Sequence, residues 1–451
     1  MSGVIRMDKQ QIFHFIGIKG SGMSALALVL HDSGYQVQGS DVDTYFFTQK
    51  GIEEAGIPIF PFSADNIKEN MTVICGNAFT DDHEEVVRAK ELGLEVTRYH
   101  TFLGKFIEQF TSVAITGSHG KTSTTGLMAH LMSGLEPTSY LIGDGTGKGA
   151  KDAEYFVLEA DEYREHFHAY YPEYAIFTNI DFDHPDFYEN IEQVYEANLK
   201  FAKQVKQKVI AFGEDPYLQR FKDEVADVSY YGFSDQDDIQ AKNIVRDTEG
   251  SHFDVYVENN FYGHFDIVSY GKHNILNALA VIGFCYFEDF DPQNVAAECL
   301  SFKGVKRRFT EKKISDMTII DDYAHHPQEI RATIDAARQK YPTKEIIAIF
   351  QPHTFSRTIA LMDEFATALD LADKVYLCDI FASAREVDQH QVKIEDLAEK
   401  VTKPVEVLPL ENVSPLLDYH DAVAIFMGAG DIMKFAYAYE ELLGQIQSTH
   451  H

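Results

Sequence analysis

No stretch of this sequence is apolar enough to suggest a membrane span. A membrane helix needs roughly 18 consecutive apolar residues. The longest candidate, Asn277 to Phe287, is shorter and is typical of a core helix. The N-terminal residues lack the apolar core of a signal peptide. We therefore predict a cytoplasmic protein with no membrane partner.

Cysteine pairs are also absent. The sequence has no CxxC motif, and its cysteines are widely spaced, at Cys75, Cys285, Cys299 and Cys378. This pattern indicates that the cysteines are unpaired and buried, where they act as small hydrophobic residues of a protein in a reducing compartment.

Cations are scarce. Lys and Arg total 39 against 71 Asp and Glu, so the formal net charge is −32 over 451 residues. Non-specific binding of nucleic acid depends on clustered cations, so we expect no nucleic-acid partner. Any anionic ligand must instead meet a few local cations. The hydrophobic fraction of 45% excludes disorder as the main state, and the length suggests about three domains.

The order of strands and helices predicts an α/β protein of three domains, at residues 1–109, 110–312 and 313–451. In the N-terminal and C-terminal blocks, short apolar strands alternate with helices, as in Rossmann-like parallel sheets. The central block begins like a P-loop ATPase, and alternation from about Ile239 to Tyr270 predicts an antiparallel meander within it. In the last block we expect helices over Gln328–Gln339, Thr358–Leu371 and Ile394–Val401.

A glycine loop in the central block has the features of a phosphate cradle. It follows a strand, opens a helix and consists of Gly117, Ser118, His119, Gly120, Lys121, Thr122 and Ser123. Backbone N–H groups and the helix dipole attract anions there. Lys121 can reach a terminal phosphate, and the Thr122 hydroxyl can bind magnesium. Ile115 stands where the usual motif has its first glycine, so the loop is a shortened variant.

A second glycine loop, Gly17-x-x-Gly20-x-Gly22, lies in the first block. It is not G-x-G-x-x-G, although it also sits between a strand and a helix. Asp41 ends the next strand, at a position that suits a carboxylate bonded to ribose hydroxyls. Binding of a nucleotide or nucleotide sugar and a plain tight turn both remain open.

Acidic groups follow two strands beside the phosphate cradle. Glu159-Ala-Asp-Glu162 ends one strand, and the run from Asn179 to His184 ends the next. Carboxylates at strand ends beside a P-loop commonly hold Mg²⁺, which prefers oxygen ligands. A solvated acidic loop is the alternative.

The third block has polar loops after three strands, at residues 321–326, 351–357 and 428–430. Ligands of open α/β sheets bind at this edge, so the loops suggest a substrate site. His325 and His326 could instead be a zinc pair, although neither HExxH nor a cysteine partner accompanies them. The basic run Lys306–Arg308 could be a solvated hinge or could reach phosphates across a cleft.

These motifs, in this order, resemble those of the Mur ligases of peptidoglycan synthesis. The strings that carry the resemblance are Gly17–Met23, Gly117–Thr122, Glu159–Glu162, Thr178–His184, His273–Asn277, Gly304–Phe309, Asp321–Pro327 and Gln351–Thr358. The resemblance implies a first domain that binds a UDP-sugar, a central domain that binds ATP, and a last domain that brings the amino acid.

The resemblance also implies a role for each matched residue. ATP would be bound by the phosphate cradle and by His273, Asn274, Asn277 and Arg308. Magnesium would be held by Thr122, Glu159 and His184. The UDP-sugar would contact Gly17, Lys19, Gly20, Gly22, Met23, Ser40 and Asp41. The amino acid would contact Tyr323, His325, His353 and Arg357, and the catalytic set would be Lys121, Glu159, His184, Arg308 and His325.

Two positions depart from the family pattern. Lys19 replaces a glycine of the first loop, where it could add charge for the diphosphate or merely be tolerated in the turn. Thr354 stands where the family often has Arg, which shifts the expected carboxylate contact onto Arg357 and makes amino-acid choice harder to infer.

The chemistry implied by the resemblance is ATP-dependent amide formation. The γ-phosphoryl group of ATP passes to the carboxylate of UDP-N-acetylmuramate, and the amine of L-alanine displaces phosphate from the acyl phosphate. His325 and His353 are candidates for accepting the amine proton. A recycling member of the family that takes a preformed tripeptide, an NAD-dependent oxidoreductase built on the first loop, and a nucleotide-gated binding protein are the alternatives.

Overall fold

The first domain is a parallel sheet covered by helices. The computed structural model describes residues 10–382 and 392–449. The elements of the first domain are β1 (Ile12–Ile16), α1 (Ser21–Asp32), β2 (Gln36–Ser40), α2 (Gln49–Glu54), β3 (Ile59–Phe60), β4 (Met71–Cys75), α3 (Glu84–Glu91), β5 (Val96–Arg98) and α4 (Tyr99–Ile107). The strand order is β3-β2-β1-β4-β5. The glycine loop 17–20 thus leaves the central strand β1 at its carboxyl end.

The central domain begins with a parallel sheet and ends with an antiparallel one. Its elements are β6 (Thr111–Thr116), α5 (Lys121–Leu135), β7 (Thr138–Leu141), β8 (Gly147–Lys148), β9 (Tyr155–Glu159), β10 (Tyr174–Phe177), α6 (Ile191–Ala202), β11 (Lys208–Phe212), β12 (Val228–Gly232), β13 (Ile239–Arg246), β14 (Ser251–Val257), β15 (Asn260–Ile267), α7 (Lys272–Phe287) and α8 (Pro292–Ser301). The strand order is β15-β14-β13-β12-β11-β10-β6-β9-β7-β8. Strand β6 therefore lies between β9 and β10, and the loops after all three meet at one edge.

The third domain is again a mostly parallel sheet. Its elements are β16 (Thr310–Ile314), β17 (Met317–Asp322), α9 (Pro327–Lys340), β18 (Ile346–Phe350), α10 (Phe355–Ala360), α11 (Met362–Leu369), β19 (Lys374–Leu377), α12 (Ile394–Ala398), β20 (Val405–Val407), β21 (Val423–Met427) and α13 (Met433–Thr449). The order is β16-β17-β21-β18-β19-β20, with only the β16–β17 pair antiparallel. The strands β17, β21 and β18, which carry the three polar loops, are neighbours.

The predicted fold class is confirmed, including the meander, which consists of β13, β14 and β15. Two predicted helices differ in detail. The single helix expected over 358–371 is two helices that meet at Leu361, and the helix expected over 394–401 ends at Ala398. The backbone of Leu361 departs from helical angles, with φ −120° and ψ 22°.

The proposed boundary at residues 109/110 falls between α4 and β6, whereas the boundary at 312/313 falls inside β16. Strand β16 pairs with β17 of the third sheet, so we propose that the third domain begins at Thr310.

The first and central domains approach closely where α1 meets the β7–β8 hairpin. A Cβ on Gly147 would lie 2.3 Å from the backbone oxygen of Ala25, so only glycine fits there. The Gly149 N–H donates to the Asp32 carboxylate at 3.1 Å. This contact fixes the first domain against the edge of the central sheet.

All four cysteines are free and buried, as the sequence predicted. Within residues 10–382 and 392–449, no helix is long and apolar enough to cross a membrane.

Candidate active site

The phosphate cradle forms a tight turn between β6 and α5. Gly117 has φ +136°, and a Cβ there would lie 2.0 Å from Thr178 Oγ1, so the loop can close only around glycine. Gly120 has φ +81° and is the N-cap of α5, which places the N-terminus of a 15-residue helix at the loop. Backbone N–H groups at such an N-terminus attract an anion.

Lys121 is the cation of this turn. Its ammonium donates to the Gly117 carbonyl at 2.6 Å and to Glu162 Oε2 at 2.8 Å. Burial alone would lower the pKa of Lys121, but Glu162 and the neighbouring carboxylates outweigh it and raise that pKa. Burial would likewise raise the pKa of Glu162, yet Lys121 and His184 hold it at about 2. Lys121 and Glu162 are therefore both charged at neutral pH.

Glu159 lies beside the cradle with an oxygen-rich surrounding. The Thr122 hydroxyl donates to both carboxylate oxygens, at 3.2 and 3.1 Å, and the Gly143 N–H donates to Oε2 at 2.7 Å. Burial raises the pKa of Glu159, and Lys121 only partly offsets that rise. A divalent cation would supply the missing positive charge, and hydroxyl and carboxylate oxygens are the ligands that Mg²⁺ prefers.

His184 is the third expected magnesium ligand. Its Nε2 lies 3.4 Å from Glu162 Oε1, and its side chain forms a group of potential metal ligands with Asp161 and Glu162, whose ligand atoms are all within 4.8 Å of one another. His184 has φ +53°. Strained backbone of this kind is concentrated at functional sites. Asp161 and Glu162 belong to the acidic run identified from the sequence, but neither was expected to share a cluster with His184.

A cleft of about 800 Å³ opens between the central and third domains. It is lined by the cradle residues His119, Gly120 and Ser123, by Arg308, and by the expected nucleotide residues His273, Asn274 and Asn277. Among the residues that the structure describes, His273 Nδ1 and Asn277 Nδ2 at its wall are buried and have no hydrogen-bond partner. Burial lowers the pKa of His273 to about 4, so the ring is neutral. These atoms can meet the polar edge of a nucleotide base.

His119 connects the cradle to the third domain. Its Nε2 lies 3.2 Å from Asp181 Oδ2, and its ring lies 4.0 Å from the His326 ring, measured between centroids. Burial would lower the pKa of His119, but Asp181 and Glu329 outweigh it and raise the pKa to about 9. The Ser118 hydroxyl donates to the Asp181 carbonyl at 3.0 Å. The loop is therefore braced from both domains.

Arg308 lies in the segment that joins the two domains. Its guanidinium is 5.4 Å from the centre of the Tyr323 ring, and Nη1 is 3.9 Å from Glu329 Oε1. The neighbouring Arg307 has a structural role instead, because its guanidinium donates to the Asp321 carboxylate and to the Gly428 carbonyl. Arg308 faces the cleft, as required of a residue that reaches a nucleotide.

The expected amino-acid residues lie together at the third-domain edge. The rings of His325 and His353 are 6.5 Å apart, and the rings of Tyr323 and His325 are 5.3 Å apart. One donor of the Arg357 guanidinium is already used within the protein, because its Nε donates to Asp183 Oδ1 at 2.9 Å. Thr354, at the position of the family arginine, accepts a hydrogen bond from the Arg357 N–H at 3.3 Å.

The zinc alternative for His325 and His326 finds no support in the part of the chain that the structure describes. His325 Nδ1 lies 3.0 Å from the Tyr323 carbonyl, and the potential metal-ligand group that contains His326 includes His119 and Asp181 but not His325.

In the first domain, the glycine loop is anchored by Asp41 and Lys19. Asp41 accepts from the backbone N–H groups of Lys19 and Val42, each at 2.8 Å. The Lys19 ammonium donates to the carbonyls of Val42 and Thr44, at 2.7 and 3.0 Å. These contacts favour the structural alternative for Lys19, because the side chain holds the segment after Asp41 in place.

The other expected UDP-sugar residues surround the same loop. The Gly17 N–H donates to the Ser40 carbonyl at 2.9 Å, and the Tyr99 ring packs against Gly22. The Ser40 hydroxyl points into the interior, where it donates to Glu85 at 2.6 Å. Met23 is buried in the core beneath the loop.

Sequence reasoning missed two carboxylates that organise the cleft, Asp183 and Glu329. Asp183 lies in the acidic run from Asn179 to His184, but its ion pair is with Arg357 of the third domain. Glu329 had a local signal, since it is the third residue of α9 and completes a capping box with His326. That signal predicts a helix start and not the contacts with His119 and Arg308.

Three family models match successive parts of the chain: "Mur ligase family, catalytic domain" over residues 12–111, "Mur ligase middle domain" over 115–285, and "Mur ligase, glutamate ligase domain" over 307–433. The chain is 61% identical to a UDP-N-acetylmuramate–L-alanine ligase of Levilactobacillus brevis, over 98% of this chain and 99% of the relative. It is 58% identical to the ligase of the same name from Streptococcus mutans, over 97% of each chain. A crystal structure of UDP-N-acetylmuramate-alanine ligase from Thermotoga maritima superposes with a TM-score of 0.76 at 28% identity, covering 98% of this chain and 100% of that one.

Proposed function

The chain belongs to the Mur ligase family, and we propose that it is the ligase that joins L-alanine to the carboxylate of UDP-N-acetylmuramate with ATP. The observation that carries this conclusion is the 61% identity, over nearly the whole of both chains, to a relative of that activity. The tripeptide and oxidoreductase alternatives are not favoured. The relatives at 56–61% identity are all named alanine ligases, whereas a murein peptide ligase structure is only 24% identical, and the Lys121 cradle has no role in hydride transfer.

ATP occupies the cleft between the central and third domains. The loop from Gly117 to Ser123 surrounds its phosphates, and Arg308 adds a second cation from the domain junction. His273 and Asn277 lie near the base, which is supported by their unpartnered polar atoms. Asn274 supports this wall, because its amide donates to the Tyr270 carbonyl at 2.8 Å.

Magnesium fits the oxygen ligands beside the cradle. We propose Thr122 and Glu159 as ligands, with His184 on the neighbouring loop. The raised pKa of buried Glu159 supports this placement, since a carboxylate that lacks enough positive charge gains from a cation. When bound, Mg²⁺ neutralises charge on the phosphate oxygens during transfer.

The UDP-sugar lies over the first-domain glycine loop. Gly17 and Gly22 make room for the Phe79 and Tyr99 rings, and the diphosphate of the UDP-sugar approaches the backbone at Gly20. Asp41 and Lys19 hold the loop in shape. Because α1 follows this loop and packs on the β7–β8 hairpin, the sugar end is held in register with the central domain.

The reaction begins when a muramate carboxylate oxygen bonds to the γ-phosphorus of ATP and ADP departs. Two anions must meet, so the task of Lys121 and Arg308 is to neutralise and orient them. The L-alanine amine then attacks the acyl carbon, the C–O bond to phosphate breaks, and phosphate leaves with the bonding electrons. Tyr323, His353 and Arg357 surround the alanine.

The amine loses one proton as the amide forms, and His325 is the proposed acceptor. Burial lowers the pKa of His325, with Glu329 opposing this, so the ring is neutral near pH 7. Its Nδ1 lies between the Tyr323 carbonyl and Glu329 Oε2, at 3.0 and 3.2 Å. Because both neighbours are acceptors, Nδ1 carries the hydrogen and Nε2 is the basic nitrogen.

An ADP-release assay with each amino acid in turn tests the proposal. ADP should form only when ATP, UDP-N-acetylmuramate and L-alanine are all present, with a product heavier by one alanine residue. The recycling tripeptide serves as the comparison substrate. ADP release with the tripeptide and not with L-alanine would refute the proposed activity.

A further inference from the structure

Glu329 lies where three parts of the proposed active site meet. It is in the first turn of α9, and its side chain is only 11% exposed. The two carboxylate oxygens face in different directions. One faces the His325 end of the site, and the other faces the phosphate cradle and the domain junction.

The Oε2 atom holds the amino-acid end. It accepts from the backbone N–H of His325 at 2.9 Å and from that of His326 at 3.3 Å, and it lies 3.2 Å from His325 Nδ1. These contacts fix both the backbone and the ring of His325. They also keep the hydrogen on Nδ1, so that Nε2 stays available as a base.

The Oε1 atom faces the nucleotide end. It is 3.7 Å from His119 Nδ1 of the cradle and 3.9 Å from Arg308 Nη1. Both distances are those of ion pairs rather than hydrogen bonds. His119 Nδ1 is buried and has no hydrogen-bond partner in the described part of the chain, and the Glu329 carboxylate is the charge that it faces.

Glu329 stays ionised in this position. Burial would raise its pKa, but His325, His119 and Arg308 together lower it well below the ordinary value. A helix cap needs no charge at this position, since glutamine serves as well. The charged carboxylate of Glu329 faces His119, Arg308 and His325, and capping alone does not account for these contacts.

We propose that Glu329 is a positioning residue that sets the geometry of His325 relative to the phosphate cradle. This inference rests on the proposed ligase function. Glu329 touches no reacting atom and acts through His325 and His119. Because it spans the two domains, it aligns the proton acceptor with the cradle only when the third domain is docked as seen here.

The test begins with Glu329→Gln in the full-length protein. Glutamine completes a capping box and still accepts hydrogen bonds, so α9 should still form, but loss of a buried charge that faces His119 and Arg308 should lower the unfolding temperature. The kcat values are therefore compared at a temperature where the variant is folded. Loss of the charge should lower kcat by about 10–100-fold. The matched control is Glu84→Gln, which removes an exposed first-turn carboxylate from α3 in the first domain and should leave kcat unchanged.

Double-mutant cycles separate positioning from a structural role. Glu329→Gln is combined with His325→Gln and, separately, with His119→Gln, and kcat is measured for each. If Glu329 acts through His325, adding Glu329→Gln to the His325 variant should change kcat by less than about twofold. A structural role would instead multiply the separate effects. In the His119 variant, where Glu329 still holds His325, the same substitution should lower kcat further.

Each result has one interpretation. Multiplicative effects in the His325 cycle, or a Glu329→Gln enzyme with wild-type kcat, would overturn the positioning role. Wild-type protein that releases no ADP with L-alanine and the UDP-sugar would overturn the proposed function itself, so the two failures are distinguishable.

Discussion

Arg357 of the third domain and Asp183 of the central domain form a buried ion pair, with Nε 2.9 Å from Oδ1 and side chains 7% and 5% exposed. Burial would raise the pKa of Asp183, but Arg357 and the nearby histidines hold it far below its ordinary value. Because Asp183 precedes His184, this pair connects the proposed metal site to the amino-acid end. The ion pair that holds the third domain against the central one therefore lies at the proposed active site itself.

Breaking this pair should open the molecule. Removing one partner of a buried ion pair costs about 3–5 kcal/mol, and separation of the domains relieves that cost by rehydrating the survivor. We expect Arg357→Gln to have a larger radius of gyration than wild type, measured by small-angle scattering without ligands. Arg220→Gln, which breaks an exposed pair within the central domain, is the control. Equal radii for both variants and wild type would contradict the prediction.

Loss of the cradle cation should slow turnover strongly. Lys121→Ala removes the charge that we propose neutralises the transferring phosphoryl group, and we expect kcat to fall by about 10²–10³-fold. Lys208→Ala, which removes a lysine paired with Asp227, should behave as wild type. Full ATP-dependent ligation by Lys121→Ala would show that the cradle is not the phosphate site.

Weakening the proposed metal site should change the magnesium requirement. Glu159→Gln keeps the shape of the side chain but removes its charge, so the Mg²⁺ concentration for half-maximal ADP release should rise by at least about tenfold. Glu173→Gln, in the same domain, serves as the comparison. If the magnesium titration curves of the Glu159 variant and wild type coincide, Glu159 is not a ligand.

His119 should make stability depend on pH between 6.5 and 9. Its pKa is raised from 6.5 to about 9 in the folded protein. A histidine whose pKa is raised on folding stabilises the folded state, and this contribution is fully present when the pH is below the unfolded pKa of about 6.5. The contribution is lost as the pH rises through the folded pKa of about 9. We expect up to about 3 kcal/mol of unfolding free energy to be lost over this interval in wild type and not in His119→Gln. Urea titrations at both pH values measure it, with exposed His420→Gln as control; parallel losses in all three proteins would refute the assignment.

The sequence was sufficient for the features that depend on local pattern. Glycines at 117 and 120 between a strand and a helix predicted the cradle, and alternation from 239 predicted the meander. Strand β16 was missed because its residues, Thr310–Ile314, are mostly polar and it pairs at the edge of the sheet. The break at Leu361 was missed because the surrounding residues favour helix throughout.

Contacts between residues far apart in the sequence, within and between domains, could not be predicted from one sequence. Lys19 carried a plausible charge for a diphosphate, but its ammonium is held by the carbonyls of Val42 and Thr44. The sequence placed Asp183 in an acidic loop and Glu329 in the first turn of a predicted helix. Only the packing of the third domain on the central one brings them to Arg357 and His119.

The central claim, that ATP activates the muramate carboxylate, is tested most directly by following oxygen. UDP-N-acetylmuramate labelled with ¹⁸O in its carboxylate is incubated with ATP, L-alanine and the enzyme, and the released phosphate is examined by mass spectrometry. The acyl phosphate route requires the phosphorus to take one carboxylate oxygen, so each phosphate formed should carry one ¹⁸O. Unlabelled phosphate, accompanied by the ligated product, would contradict the account.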